Sequence, residues 1–245
     1  MNLNLVKIVG VAVGVAGMTV ETRAAGVQEY VAERDNTQVS AWKSHRPEKR
    51  LFTSKAVEEQ IQRAKKLLTN TKLAWMFENC FPNTLDTTVH FDGADDTFVY
   101  TGDIHAMWLR DSAAQITHYV RYASGDKALL HIVEGVLRRQ AHMVLIDPYA
   151  NAFNEHPNGH CFARDLTEMH PFVWERKYEV DSLCAPIYLL HHYWKTTGLT
   201  GAFDAQTYAM LVRICEVFSL EQHHENSPYS FERQNCVETD TLPCA

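Results

Sequence analysis

The chain of 245 residues is 46% hydrophobic and 22% charged, and it carries a formal net charge of −7. Such a composition is typical of a globular protein, and the length is compatible with one domain. The negative charge argues against a nucleic-acid partner, which requires a basic face. Beyond the N-terminus no apolar run reaches the ~18 residues of a membrane span, so a multi-span membrane protein is excluded.

The N-terminus has the pattern of a secretory signal peptide. A short start with one lysine precedes the apolar run 8–20, and Ala24, Ala25 and Gly26 supply small residues for cleavage. We therefore predict a signal peptide over residues 1–25 and export to a periplasm or the outside, with no other membrane association. A buried N-terminal strand or helix is the alternative. Residues 26–54 are polar without a clear period and are predicted to form an N-terminal arm.

Neither a metal nor another cofactor is expected. The six cysteines show no C-x-x-C spacing, so neither a zinc ribbon nor a redox motif is indicated. Most of them are expected to be buried. If the protein is exported, one disulfide is possible, and the sequence does not indicate which cysteines form it. His156 and His160 lie four residues apart, but Pro157 and Gly159 break any helix between them, and the H-E-x-x-H motif is absent.

Hydrophobic periodicity predicts a helical domain over residues 55–245. Its first helix spans 55–81, is capped by Ser54 and is interrupted at Asn70. Two β-branched and aromatic runs then form a small hairpin. The hairpin strands are predicted at 87–91 and 97–101, and further helices at 112–122, 127–146, from 181 or 182 to 197, and from about 203 to 222.

Residues 147–179 are predicted to form a long irregular insert. Structureless loops beyond about 12–15 residues are uncommon and usually functional. Pro186 is predicted to lie in the first turn of the next helix, where its missing N–H costs no hydrogen bond. Short turns and long polar loops join the helices alternately, which suggests a helical toroid with functional loops gathered on one side.

The stretch from Gly102 to Ser112, GDIHAMWLRDS, combines an aromatic face with polar groups. Trp108 offers an apolar face, Arg110 a rigid fork of donors, and Asp103 and Asp111 offer acceptors. A sugar ring needs this combination, because its C–H faces stack on aromatic rings while its hydroxyls form paired hydrogen bonds. In the alternative interpretation Asp111 or Ser112 caps the helix that follows, and Arg110 is only part of a salt bridge.

Three other segments share this composition, at residues 83–88, 147–154 and 174–182, and the tail at 239–242 is a fifth candidate. Together they predict one polar, aromatic-lined cleft of the kind that binds small molecules. Glycoside hydrolysis needs two carboxyl groups, and the spacing does not rank the candidates. The carboxylates of suitable type are Asp103, Asp111, Asp147, Glu175, Glu179 and Asp181, and Asn151 is a further candidate for supporting the site.

Several of these segments closely resemble glycoside hydrolase family 125. The resemblance rests on FPNTLDTTV, GDIHAMWLRDS, DPYANAFN, WERKYEVDSLC and the CVETDTLPC end, and it covers about residues 70–245 in colinear order. It implies a metal-independent, inverting exo-α-1,6-mannosidase with an all-α (α/α)6 fold. It also implies that Arg110 and Asp111 hold the mannose that is cleaved, with neighbours from the other loops.

This sequence departs from the family pattern in two ways. His105 stands where the family usually has proline, which loosens the turn and weakens binding. The family also continues well past Ala245, and its general acid and general base are expected there. The chain is therefore expected to be an incomplete half of the (α/α)6 toroid with a small β-hairpin, inactive alone. The rival interpretations are a non-catalytic mannose-binding module and another (α/α)6 glycosidase that acts on glucans.

Overall fold

A computed structural model describes residues 44–91 and 95–234 of the chain. The predicted signal peptide at 1–25, the first part of the predicted arm and the tail at 239–242 lie outside the described residues. The thiols of Cys80, Cys161, Cys184 and Cys215 are free, and none of these four residues is buried. The expectation that most cysteines are buried is therefore wrong for these four.

The described residues form eight α-helices and five short strands. In chain order they are α1 (Lys55–Leu67), α2 (Thr71–Cys80), α3 (Asn83–Thr87), β1 (Val89–Phe91), β2 (Thr97–Val99), β3 (Met107–Trp108), α4 (Leu109–Thr117), α5 (Val120–Ala123), α6 (Lys127–Ile146), β4 (Ala152–Phe153), β5 (Val173–Glu175), α7 (Val180–Thr197) and α8 (Ala205–Glu221). None of these helices is long and apolar enough to cross a membrane.

One carboxylate caps two helices and ties them together. Asp126 Oδ1 accepts hydrogen bonds from the backbone N–H groups of Ala128 and Leu129, which begins α6. Its Oδ2 accepts from Ser54 Oγ at 2.7 Å, while that hydroxyl accepts from Val57 N and begins α1. Burial opposes the charge of Asp126, but these hydrogen bonds outweigh it and lower the pKa of the carboxyl. The predicted cap at Ser54 is confirmed.

Some predicted helix bounds are confirmed and others are wrong, since the helix predicted over 112–122 begins at Leu109 and is divided into α4 and α5. Asn70 Oδ1 accepts from Leu73 N and caps α2, so the interruption predicted at that residue is present. The helix α6 has the predicted bounds. Pro186 is the seventh residue of α7, because that helix begins at Val180, so its placement in the first turn is wrong. The carbonyl of Ser182 consequently has no partner N–H one turn later.

Two helix pairs enclose the core. The helix α4 packs along α7, and α6 packs along α8. The β1–β2 hairpin pairs antiparallel, with Val89 opposite Val99, and lies against α6. Large side chains that are completely buried fill the space between these elements, among them Phe98, Leu109, Ile116, Tyr119, Leu129, Ile132, Phe153 and Tyr193.

The insert at 147–179 is less irregular than its sequence suggests. Its strands β4 and β5 join β3 in an antiparallel sheet of three strands. Strands of two and three residues carry no usable periodicity, which explains why the sequence did not reveal them. The sheet connects the insert to the start of α4.

The contact between the hairpin and α6 requires glycine at position 135. A Cβ there would lie 2.3 Å from Thr97 Oγ1 and 3.0 Å from Thr97 N. We expect Gly135→Ala to lower the free energy of unfolding by about 1–3 kcal/mol through overpacking, despite alanine's better helix propensity. Gly125→Ala is the control, because its Cβ would meet only Tyr122 O at 3.8 Å. Equal urea midpoints for the two variants would refute the close contact.

The residues before α1 are held by an ion-pair network. Arg46 Nη2 donates to Glu58 Oε1 at 2.6 Å, Arg46 Nε donates to Asp86 Oδ2 at 2.6 Å, and Arg50 Nη1 donates to Glu58 Oε1 at 2.6 Å. The hydrogen bond from Arg46 lowers the pKa of Glu58. A depressed folded-state pKa contributes stability above the unfolded value, and that stability is lost as the pH falls through the folded value.

We therefore expect Glu58→Gln to flatten the fall in unfolding free energy that accompanies acidification below about pH 5. Glu59→Gln is the matched control, since Glu59 is exposed and lies 3.8 Å from Lys55. Urea titrations at a series of pH values measure the slope. If the unfolding free energy of Glu58→Gln falls with pH as steeply as that of Glu59→Gln, the ion pair between Arg46 and Glu58 does not contribute to the pH dependence of stability.

Candidate functional site

The helix α4 begins inside the GDIHAMWLRDS stretch without a side-chain cap. Trp108 occupies the N-cap position and makes no capping hydrogen bond through its side chain. Asp111 lies in the first turn, where its negative charge interacts favourably with the partial positive charge of the helix N-terminus. Ser112 Oγ donates to Leu109 O and accepts from Gln140 Nε2 at 2.9 Å. The interpretation of Asp111 or Ser112 as the N-cap residue is therefore wrong.

Arg110 joins the first turns of α4 and α7. Its Nη1 donates to Glu179 Oε2 at 2.7 Å and to Asp181 Oδ2 at 3.2 Å, and its Nη2 lies 3.5 Å from Asp111 Oδ2. These four residues are called the Arg110 cluster below. The Arg110 side chain is 43% exposed and that of Asp181 is 62% exposed, so the cluster is open to a ligand.

The Arg110 cluster is acidic overall, because three carboxylates surround one guanidinium. Burial opposes the charge of Arg110, but the hydrogen bond to Glu179 and the charges of Asp111 and Asp181 outweigh it and raise the pKa of the guanidinium. The Oδ2 atom of Asp111 is buried and has no hydrogen-bond partner within the described residues. Such an unsatisfied acceptor is costly unless another group completes it.

The three-stranded sheet fixes this cluster in place. Trp108 pairs with Ala152, and Ala152 pairs with Glu175. Leu109 N donates to Asn151 O at 3.1 Å, and Asn151 N donates to Glu175 O at 3.2 Å. Three of the predicted loop segments, at 102–112, 147–154 and 174–182, therefore meet at the start of α4.

Asn151 and Glu175 lie within this assembly and hold its strands together. Asn151 Nδ2 donates to Glu175 Oε2 at 2.8 Å, and Arg233 Nη2 donates to Glu175 Oε1 at 2.6 Å and to Asp165 Oδ2 at 3.2 Å. Asn151 is 1% exposed and Glu175 9% exposed. These two predicted site residues connect the strands under the Arg110 cluster.

Asp147 holds the C-terminal end of α6. It accepts from Tyr149 N at 2.9 Å and from Arg176 Nε at 2.6 Å. The Arg176 guanidinium also lies over the rings of Tyr149 and Tyr229, which stack on each other at 4.8 Å. Arg176, Arg233 and Tyr229 were not predicted as site residues, although the run WERKYE already showed an arginine among aromatic and acidic residues.

The remaining predicted residues lie apart from the cluster. Asp103 is exposed in a turn that Gly102 makes possible with φ 61°. In the segment 83–88, Asp86 is buried and accepts two hydrogen bonds from Arg46. Within residues 44–91 and 95–234, no three His, Cys, Asp or Glu side chains are placed to hold a metal ion.

The buried pair of Asn151 and Glu175 gives a prediction for stability. Asn151→Ala leaves Glu175 Oε2 without its donor, and an unpaired buried acceptor costs about 1–3 kcal/mol. Asn158→Ala is the matched control, because its side chain accepts only an exposed hydrogen bond from His160 N. Chemical denaturation measures both variants. A loss of under about 0.5 kcal/mol in Asn151→Ala, within the usual range of surface substitutions, would contradict the assigned role.

Comparison with known proteins identifies related chains. The family model described as metal-independent alpha-mannosidase (GH125) matches residues 70–245. The Meiotically up-regulated gene 157 protein of Schizosaccharomyces pombe is 36% identical over 205 residues, which cover 79% of this chain and 39% of that protein. A solved structure of a Streptococcus pneumoniae metal-independent alpha mannosidase, in a non-productive substrate complex with alpha-1,6-mannobiose, is 40% identical with a TM-score of 0.73.

The structural match covers 78% of this chain and 46% of the Streptococcus pneumoniae chain. This chain therefore spans less than half the length of each of these two relatives. The residues that the family model matches, 70–245, contain the three segments that meet at the start of α4, and the structural neighbour shares the helix-rich architecture. The match confirms the resemblance seen in the sequence motifs, and the chain belongs to the GH125 family of metal-independent α-mannosidases.

Proposed function

We propose that this chain supplies the mannose-binding part of an α-mannosidase that removes terminal, non-reducing α-1,6-linked mannose. Membership of the GH125 family supports a glycoside hydrolase that acts on α-mannosides. The Streptococcus pneumoniae relative in complex with alpha-1,6-mannobiose supports the linkage. We propose the whole activity for the longer family domain, because the match covers 46% of that relative.

The Arg110 cluster is the observation that carries this proposal. Arg110 provides a planar fork of donors, and the carboxylates of Asp111, Glu179 and Asp181 provide acceptors within 3.5 Å of it. A sugar hydroxyl both donates and accepts, so it fits between a fixed cation and a carboxylate. Asp111 Oδ2 lies 3.5 Å from Arg110 Nη2 and accepts no hydrogen bond within the described residues, which leaves it the capacity to accept one from a ligand hydroxyl. Trp108, half-buried at the start of α4, stacks on the sugar or walls the pocket.

In the proposed mechanism the glycosidic bond is cleaved in a single displacement with inversion. One carboxylic acid protonates the leaving oxygen, while a carboxylate about 6.5–9.5 Å away activates a water on the opposite face of the ring. Arg110 and Asp111 hold ring hydroxyls and favour a distorted ring. We place the general acid and general base in the part of the family domain that lies beyond these 245 residues.

The connectivity supports an (α/α)6 toroid for the whole domain. Short turns join α5 to α6 and α7 to α8, whereas the insert of 147–179 joins α6 to α7. The helices α4 and α7 both begin at the Arg110 cluster and pack side by side, and α6 packs on α8. An (α/α)6 toroid has parallel inner helices surrounded by outer helices, with the long loops at one end, and this alternation of short turns and long loops fits it.

The N-terminal sequence supports export of the protein.

The proposal is tested by binding and turnover of α-1,6-mannobiose. We expect the chain to bind the disaccharide in calorimetry and to release no mannose. Arg110→Ala should weaken binding by roughly tenfold to a hundredfold, because hydrogen bonds from a charged group contribute about 1.5–3 kcal/mol. Arg63→Ala, at an exposed position of α1, is the control.

Two results would contradict the proposal. Mannose release that Asp111→Ala abolishes would show that the acid and base lie within this chain. Equal binding of isomaltose, the corresponding α-1,6-linked glucose disaccharide, would favour a glucan substrate over a mannoside.

A further inference from the structure

A cavity lies between the β1–β2 hairpin, α6 and the insert, and no residue of the Arg110 cluster lines it. It is an open groove of about 620 Å³. We call it the hairpin groove. Its lining combines aromatic, imidazole and charged side chains, including His90, Phe98, Arg139, His142, Glu155 and Phe172.

The arginine of the hairpin groove is neutralised by Asp96, and Glu155 is held by a tyrosine and a histidine. Asp96 accepts two hydrogen bonds from Arg139, one of them from Nε at 2.7 Å. Glu155 Oε2 accepts from Tyr100 OH at 2.6 Å, and its Oε1 lies 3.5 Å from His90 Nδ1. Because the one arginine is neutralised and Glu155 adds negative charge, the groove disfavours an anion. Each carboxylate has about four lone-pair positions and retains capacity to accept more hydrogen bonds.

Two imidazoles of the hairpin groove have no hydrogen-bond partner for their rings among the described residues, those of His142 and His156. His142 stands edge-on to the Phe172 ring at 5.8 Å. Burial, reinforced by the charge of Arg139, lowers the pKa of His142, so its ring is neutral at pH 7. A neutral imidazole offers one donor and one acceptor, which matches a hydroxyl.

The hairpin groove is also connected to the GDIHAMWLRDS stretch through one aromatic ring. Tyr100 contacts His90 at 4.4 Å and His105 at 5.2 Å, both edge to face. Its hydroxyl is fixed by Glu155. Burial and this hydrogen bond raise the pKa of Tyr100 to about 12, so it remains a donor. His105, at the position where the family motif usually has proline, therefore packs against the Tyr100 ring, which His90 of the groove also contacts.

We propose that the hairpin groove binds a hexose in addition to the terminal mannose proposed for the Arg110 cluster. Phe172, which contacts the rings of His142 and His170, offers apolar surface for the sugar, and the imidazole of His142 together with the free lone pairs of Glu155 binds its hydroxyls. The class of sugar rests on the proposed function, whereas the groove itself does not.

The experiment uses the whole chain carrying Asp111→Ala, so that the Arg110 cluster is disabled. Histidine ring Cε1–H signals are followed by NMR while α-1,6-linked mannotriose, isomaltotriose or inorganic phosphate is added, and His142→Ala identifies its own signal. We expect mannotriose to shift the signals of His142 and His156. His142→Ala should weaken this binding at least threefold. His131→Ala is the matched control, an exposed histidine three turns earlier on α6.

Each outcome bears on the proposal. Shifts with mannotriose that Asp111→Ala leaves intact support a groove that binds sugar independently of the Arg110 cluster. Shifts with isomaltotriose alone also support a sugar-binding groove, while they overturn the mannoside class of the proposed function. Unshifted His142 and His156 signals with both sugars, or shifts with phosphate alone, overturn the proposal. Equal effects of His142→Ala and His131→Ala overturn it as well.

Discussion

The backbone pairing of β3, β4 and β5 fixes the start of α4, and the candidate site depends on it. Leu109 N donates to Asn151 O, and Asn151 N donates to Glu175 O, so three segments distant in sequence form one ladder. Strands this short are not stable alone. The side-chain hydrogen bond from Asn151 to Glu175 closes the ladder where water cannot compete, and in that low-dielectric setting it is stronger than an exposed one. The position of Arg110 therefore derives from a buried polar pair instead of a helix cap.

The same arrangement creates an electrostatic problem that the carboxylates solve. The N-terminal ends of α4 and α7 lie side by side, and each end carries a partial positive charge. Arg110 adds a full positive charge between them. Asp111, Glu179 and Asp181 compensate for it within 3.5 Å, and they stay open enough to exchange part of that interaction for a ligand. The carboxylates of the Arg110 cluster thus stabilise the contact between the N-terminal ends of α4 and α7, and the same oxygens can accept hydrogen bonds from hydroxyl groups.

The sequence predicted those parts of the fold that local chemistry determines. The apolar period predicted both ends of α6, and the motif stretch led directly to Arg110. The strands of the insert were missed because two or three residues show no period. The role of Arg233 was also missed, since it reaches Glu175 across 58 positions of the chain and nothing local marks it. Pro186 was misplaced because the tertiary packing of α7 overrides the local preference of proline.

Residue type alone did not separate groups that hold the site from groups that face a ligand. Asn151 and Glu155 lie four residues apart in one polar segment, yet Asn151 is buried beneath the Arg110 cluster and Glu155 lines the hairpin groove. Between them Asn154 Nδ2 donates to the carbonyls of His160 and Pro171, which fastens the insert on both sides. Ligand binding at one end of this segment therefore requires no ordering of the backbone at the other end. The Arg110 cluster and the hairpin groove are therefore joined by a backbone segment that is fixed before any ligand binds, so a ligand at either place orders no loop between them.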